Sequence, residues 1–140
     1  MSPKTAALLL RVNAAISMIA FGLVWALAAF GVEAPVRLAL DVLKWPVDGD
    51  PGSFSAEARW FSALGGAFLV AFGLLIYGLV APGVARGDRE ARRWGLVSLF
   101  VWFVIDSLGS IAAGAPSNAV FNVVFLVLFA GPMLAVRRAP

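Results

Sequence analysis

The sequence contains no cysteine and no histidine, and charged residues make up only 14% of its 140 residues. Without cysteine or histidine, the chain can form neither disulfides nor the usual thiolate- and imidazole-based zinc, copper and haem sites. We therefore expect no metal site and no cofactor. Apolar residues account for 61% of the chain, well above the share in soluble domains. This composition indicates an integral membrane protein.

Four stretches with at most one charge are long enough for membrane-spanning helices, which need about 20 apolar residues each. The predicted spans one to four are residues 12–32, 60–81, 94–113 and 119–136. Pro82-Gly83 is a helix-breaking pair that predicts the end of span two. We predict one all-α domain over residues 1–140, a four-helix transmembrane bundle. A cleaved signal peptide is the alternative for span one, because Lys4 and Arg11 precede its apolar run.

The loop between spans one and two contains three basic residues against five acidic ones, and the other eight basic residues flank the spans on the opposite side. They lie before span one, between spans two and three, and after span four: Lys4, Arg11, Arg86, Arg89, Arg92, Arg93, Arg137 and Arg138. Lysine and arginine in short loops favour the cytoplasmic side of a membrane. We therefore predict that both termini are cytoplasmic. The net charge of only +3 and this placement argue against a nucleic-acid partner. Because arginine far outnumbers lysine, as in GC-rich bacterial genomes, we predict a multi-pass protein of a bacterial inner (plasma) membrane.

The outer loop, residues 33–59, is too long for a simple turn. Three of its charges recur at helical spacing on one face: Arg37, Asp41 and Lys44. This pattern predicts a short amphipathic helix in the outer membrane interface, with Trp45 at the level of the lipid headgroups. A helix packed as a lid on the bundle is the alternative. A turn at residues 48–52 follows, after which Ser53 or Ser55 is predicted to cap the next helix.

Asp106 is the one charged residue inside span three. A carboxylate there costs about 2.5–3.5 kcal/mol on insertion scales, so Asp106 is a candidate functional residue. We predict an ion pair between Asp106 and Arg59. The candidate outer ligand-binding pocket consists of Arg59, Asp106, Ser110, Asn118, Asn122, Trp25 and Trp102. Two alternatives stay open: the polar groups bond the helices to one another without a ligand, or they belong to a proton or ion pathway.

Several features occur in a defined order along the chain. They are the Glu57-x-Arg59 pair, Gly65-Gly66 early in span two, a basic inner loop, a polar residue inside span three and a final hairpin with Pro116. This order resembles that of the DoxX-like group of small four-helix bacterial membrane proteins, most of them of unknown function. Some members are associated with quinone-linked sulfur oxidation or oxidative-stress complexes. Since this chain has no cysteine or histidine, the resemblance implies the architecture more than a redox activity.

These observations favour a small integral inner-membrane protein that is a non-catalytic accessory subunit or a lipid- or lipophile-binding protein. We assign no catalytic residue. One alternative is a membrane enzyme that acts on a lipophilic substrate through Asp106, and another is a small oligomeric transporter. The expected partners are membrane lipids, with a protein partner in a larger membrane complex or a second copy of the chain.

Overall fold

A computed structural model of the chain describes residues 1–49 and 54–136, and this part is helical without strands. Its long helices are α1 (Pro3–Phe30), α3 (Ala56–Ala85), α4 (Arg89–Ala112) and α5 (Pro116–Leu134), with the shorter α2 (Ala34–Lys44) between α1 and α3. All four long helices are long and apolar enough to cross a membrane. The predicted all-α class with four such helices is confirmed. Part of the predicted turn at 48–52, the alternative cap Ser53, and Arg137 and Arg138 lie outside the described residues.

Both termini of the described chain lie at the same end of the bundle. The Met1 ammonium group donates a hydrogen bond to the Ala135 carbonyl at 2.7 Å. The first turns of α1 also pack against residues 81–85, which lead into the connection between α3 and α4. We call this the basic end, because Lys4 and Arg86 lie there, and the opposite end the α2 end.

Three of the long helices begin at capping residues outside the predicted apolar spans. Ser2, Ser55 and Asp88 each accept a hydrogen bond at 3.1–3.2 Å from the N–H three residues further along the chain. Such caps satisfy N–H groups that have no partner in the first helical turn. Lys4 and Arg11 therefore lie within α1. Their charges limit the apolar run, but they do not end the helix.

The predicted break at Pro82-Gly83 is wrong, because α3 continues to Ala85. A wider π-helical stretch, Ile76–Val80, lies immediately before the proline. Such stretches rearrange backbone hydrogen bonds where a proline removes an N–H donor. A side chain at Gly83 would collide with the Ala91 side chain. Gly83 therefore allows the close approach of α4 and does not form a turn.

The second internal proline, Pro132, is buried within α5. Its missing N–H would otherwise pair with the Leu128 carbonyl, four residues earlier. The Asn13 side chain of α1 donates its Nδ2 hydrogen to this Leu128 oxygen at 2.6 Å. A neighbouring helix thus supplies the donor that the proline removes, as backbone groups inside a membrane require.

We expect the effect of Asn13→Ala on stability to depend on Pro132. In the natural chain the substitution leaves the Leu128 carbonyl without a donor and should lower the free energy of unfolding by about 1 kcal/mol. In a Pro132→Ala background the restored N–H can pair with that carbonyl. Asn13→Ala should therefore lower the free energy of unfolding much less there. The measurement is a double-mutant cycle on unfolding in mild detergent. Additive effects would contradict this role for Asn13.

The backbones of α1 and α3 touch at a pair of glycines. A Cβ atom at Gly66 would lie 2.5 Å from the Gly22 carbonyl oxygen, and one at Gly22 would lie 2.8 Å from the Gly66 oxygen. About two turns further along α3 toward the basic end, Gly73 faces Met18 and Ile19 in the same way. Small residues allow this close approach, which gains dispersion energy between membrane helices.

Gly66→Ala should therefore lower the free energy of unfolding by about 1–3 kcal/mol, because the added methyl group separates two packed backbones. Gly78→Ala is the matched control on the same helix, since nothing lies within 4 Å of a Cβ atom there. The control should leave stability unchanged or raise it, because alanine favours the helix. Thermal unfolding of both variants in detergent gives the comparison, and equal losses would rule out the glycine contact.

The largest cluster of buried apolar side chains lies in the half of the bundle toward the basic end. Its members are Ala6, Ala7, Leu10, Ala14, Met18, Ile76, Ala81, Val84, Leu99, Phe129 and Met133. Toward the α2 end, the helices make their main contacts as two pairs, α1 with α3 and α4 with α5. The α2 helix contacts both α1 and α5, and its Val36 is fully buried. The α2 helix therefore bridges the two pairs.

One of the three charges predicted on a single face of α2 is turned inward. Asp41 is only 5% exposed, and its carboxylate accepts hydrogen bonds from the N–H groups of Asp48 and Gly49 at 3.2 and 3.1 Å. Asp41 therefore holds the segment that follows α2 against the helix. This packing agrees with the lid alternative for α2.

Candidate functional site

Five polar side chains on the facing surfaces of α4 and α5 form one hydrogen-bonded group, which we call the Asp106 cluster. Asn118 and Asn122 each donate an Nδ2 hydrogen to Asp106 Oδ2, at 3.1 and 2.6 Å. Asn118 Nδ2 also donates to Ser110 Oγ at 2.8 Å. Asn122 Nδ2 donates to Ser107 Oγ at 3.1 Å. The structure thus joins four of the predicted site residues and adds Ser107.

The helical hairpin explains why these side chains meet. The connection between α4 and α5 spans only residues 113–115, so the two helices run antiparallel side by side. Asp106 and Ser110 are one turn apart on α4, and Asn118 and Asn122 are one turn apart on α5. Asp106 lies about 9 Å from the end of α4 at roughly 1.5 Å per residue. The cluster therefore lies in the half of the bundle toward the α2 end.

The cluster leaves three oxygen atoms without protein partners. Both Nδ2 hydrogens of Asn118 and of Asn122 are used within the cluster, and all these bonds end on Asp106 Oδ2 or a serine. Among the described residues, no fully buried side-chain nitrogen or oxygen lacks a hydrogen bond. The Oδ1 atoms of Asp106, Asn118 and Asn122 are therefore not fully buried, although Asn122 as a whole is only 4% exposed, and each can accept a hydrogen bond.

Other polar side chains of the long helices bind backbone carbonyls instead. Asn13 donates to Leu128, Ser62 donates to the Trp25 carbonyl at 2.6 Å, and Ser117 donates to the Leu43 carbonyl. These bonds satisfy the backbone where helices end or depart from α geometry. The Asp106 cluster contains only side-chain partners, so no backbone irregularity accounts for it.

Aromatic rings lie on the side of the cluster toward the basic end. Trp102 precedes Asp106 by one turn on α4, and its ring centroid lies 6.0 Å from that of Phe125 on α5. Phe125 in turn stacks on the fully buried Phe129 at 6.2 Å. The predicted position of Trp102 on the Asp106 face agrees with this contact.

On the other side, α2 is attached to the start of α5. The Ser117 hydroxyl donates to the Leu43 carbonyl near the end of α2. The Trp45 ring meets Phe121 edge to face, with centroids 6.1 Å apart. Since Phe121 immediately precedes Asn122, α2 and Trp45 lie at the end of α5 that carries the cluster.

The predicted Arg59–Asp106 ion pair is wrong. Arg59 Nη2 and Nε both lie 2.6 Å from Glu33 Oε1, and the arginine side chain is 46% exposed. Arg37, one turn along α2 from Glu33, lies 3.9 Å from the same carboxylate. Arg59 therefore joins the start of α3 to the α1–α2 connection. The prediction failed because Glu33 lies beside Arg59 and outside the predicted spans, where a carboxylate has a lower desolvation cost than one inside a span.

Trp25 lies in the contact between α1 and α3. Its ring centroid is 5.5 Å from that of Phe21, and a Cβ atom at Gly65 would lie 3.7 Å from its indole nitrogen. Its carbonyl accepts the hydrogen bond from Ser62. We therefore assign Trp25 to the α1–α3 contact, apart from the α4–α5 surfaces that form the cluster.

Sequence reasoning missed Ser107 and the phenylalanines beside the cluster. Ser107 follows Asp106 directly, but its part depends on the rotation of α5 relative to α4. Phe121 and Phe125 lie one residue before and three after Asn122, so helical spacing alone could have placed them near it. The eleven phenylalanines of this apolar chain hide such a signal.

The cluster is built to accept and donate hydrogen bonds and not for nucleophilic attack. A serine nucleophile requires a base within hydrogen-bonding distance of its hydroxyl. Here Ser107 and Ser110 accept from asparagine amides, and Asp106 binds the same amides. The geometry therefore fits the binding of a polar group.

Comparisons of this chain with protein-family models, with curated proteins and with solved structures find no match. The resemblance to the DoxX-like group therefore stays a prediction.

Double-mutant cycles can distinguish Glu33, the observed partner of Arg59, from Asp106, the predicted partner. We expect Arg59→Ala and Glu33→Ala to be non-additive, with a coupling of about 0.5–1 kcal/mol for this partly exposed pair. Arg59→Ala and Asp106→Asn should be additive within about 0.3–0.5 kcal/mol, because the two side chains have separate partners. Two double-mutant cycles on thermal unfolding test this. Coupling of Arg59 to Asp106 would refute the assignment.

Proposed function

We propose that this chain is a multi-pass protein of a bacterial inner membrane that binds a lipid or another lipophilic molecule at the Asp106 cluster. The observation that supports this most is the set of three oxygen acceptors without protein partners on a carboxylate and two amides fixed by their own hydrogen bonds. Groups held in this way present a preformed polar site to a ligand, which lowers the entropy lost on binding.

A purely structural role explains the cluster less well. Hydrogen bonds between side chains of membrane helices contribute about 0.6–2 kcal/mol each. A carboxylate inside a span costs about 2.5–3.5 kcal/mol, and an asparagine could form comparable bonds without that charge. The α4–α5 pair is also joined by a short connection. The charge of Asp106 is therefore the feature that a ligand accounts for and helix packing does not.

The surface of α4 next to Asp106 in sequence is apolar and exposed. Ile105 and Leu108, on either side of Asp106 in sequence, are 67% and 63% exposed. Exposed apolar side chains of this kind on a membrane helix face acyl chains. A lipophile could therefore extend its chain along the surface of α4 while its polar group reaches the cluster from within the bilayer.

The orientation belongs to the same proposal. Most basic residues of the described chain lie at the basic end, whereas Arg37, Lys44 and Arg59 lie toward the α2 end. We assign the basic end to the cytoplasm by the preference of short cytoplasmic loops for lysine and arginine. The α2 end and the Asp106 cluster then lie toward the outer face. There α2 would rest at the membrane surface as a lid, with Trp45 at the level of the headgroups.

Native mass spectrometry of the protein, extracted gently from its own membrane, tests this proposal. We expect a stoichiometric lipophile that Asp106→Asn reduces about tenfold or more, while the melting temperature persists. Ser98→Ala is the matched control, because Ser98 is an exposed residue of the same helix outside the cluster. A lipophile retained equally by both variants would reject the site. A stoichiometric protein subunit without a lipophile would instead favour the accessory-subunit function.

A further inference from the structure

We propose that the polar group of the ligand is an organic cation, a protonated amine carried on a lipophilic chain. This inference rests on the proposed function and names the chemical class that the Asp106 cluster selects. It follows from the charge of the cluster, from the balance of its donors and acceptors, and from the aromatic rings beside it.

The first argument is that the protein supplies no positive charge to Asp106. Its two hydrogen-bond partners are the neutral amides of Asn118 and Asn122. In the described ranges 1–49 and 54–136, no lysine or arginine nitrogen lies within 4 Å of its carboxylate, whereas Glu33 and Glu90 have arginine partners. Neutral amides solvate a carboxylate but do not compensate its charge. A cationic ligand would provide that compensation in a medium of low dielectric constant.

The second argument is the excess of acceptors. The amide hydrogens of Asn118 and Asn122 are all engaged, so these residues offer only their oxygens. With Asp106 Oδ1 the cluster presents three oxygen acceptors, while its remaining donors are the hydroxyls of Ser107 and Ser110. An ammonium group has three donors and no acceptor, which matches this set. A quinone, a phosphate or a carboxylate would bring acceptors to a site already rich in them.

The third argument is the aromatic surroundings. Trp102 lies one turn from Asp106 along α4, and the Trp45–Phe121 pair lies at the end of α5 that carries Asn118 and Asn122. The faces of such rings attract cations, and tryptophan does so most strongly. The same rings accept the first methylenes of an alkyl chain. A carboxylate and aromatic rings together favour an ammonium group over a neutral alcohol of the same length.

Ligand binding at the cluster can be followed by NMR through its own asparagine side chains. The chain has three asparagines and no glutamine, so protein labelled with ¹⁵N-asparagine gives three side-chain NH₂ pairs in an NMR spectrum. Asn118 and Asn122 report on the cluster. Asn13, bonded to the Leu128 carbonyl in the half toward the basic end, is the internal control. The full chain in phosphatidylcholine nanodiscs is titrated with hexadecylamine and, separately, with hexadecanol, which has the same chain and a neutral donor.

We expect hexadecylamine to shift the Asn118 and Asn122 pairs saturably and to leave Asn13 unchanged. Hexadecanol should need at least a tenfold higher mole fraction for the same shift. Asp106→Asn, which adds a fourth pair, should abolish this difference. The comparison of amine and alcohol in the natural protein stands even if this variant does not fold.

The outcomes separate this inference from the proposed function. If the alcohol shifts the Asn118 and Asn122 signals as strongly as the amine, the assignment of a cationic ligand is wrong, while the proposed lipophile site stands. If neither compound moves them, or if the amine moves Asn13 equally, the inference is overturned, and native mass spectrometry decides independently on lipophile binding.

Discussion

The rest of this bundle depends on one constraint, the pairing of every backbone polar group inside the membrane. The hydrogen bond from Asn13 to the Leu128 carbonyl is an example of it. Inside a bilayer no water is present to pair with backbone groups, so every irregularity in a helix needs a partner from within the protein. Helices α1 and α3 contain π-helical stretches, and α5 contains an internal proline. Polar side chains from other helices supply donors to carbonyls: Asn13 to Leu128, Ser62 to Trp25 and Ser117 to Leu43. These three polar residues thereby acquire a structural reason for their position.

Packing is uneven along the bundle. The Gly22–Gly66 contact holds α1 against α3, and the largest buried core fills the half toward the basic end. Toward the other end the two helix pairs have fewer mutual contacts, and α2 joins them through Val36 and the hydrogen bond from Ser117. The Asp106 cluster thus lies in the half of the bundle where the two helix pairs contact each other less. A ligand can enter such a region without displacing the main core.

The sequence was sufficient for the features that depend on local spacing. Apolar runs predicted the four long helices, and a short connection between spans three and four implied that Asp106 meets Asn118 and Asn122. The partner of Arg59 could not be predicted, because it depends on which face of α3 turns toward α1. That rotation is set by the Gly22–Gly66 contact between distant parts of the chain. The continuation of α3 through Pro82 was missed for another reason: turn statistics describe proline in water, where a freed carbonyl pairs with solvent.

Asp106 differs from every other polar residue of the spans in carrying a charge that its contacts do not require. Its hydrogen bonds to two amides could also be made by a neutral acceptor such as an asparagine oxygen. The hydrogen bonds, at about 0.6–2 kcal/mol each, roughly offset an insertion cost of about 2.5–3.5 kcal/mol, so the charge adds nothing to folding. A charge that folding does not need and that the membrane disfavours is best explained by a ligand that pairs with it. The Oδ1 atom of Asp106, which has no hydrogen-bond partner among the described residues, is where such a ligand would bind.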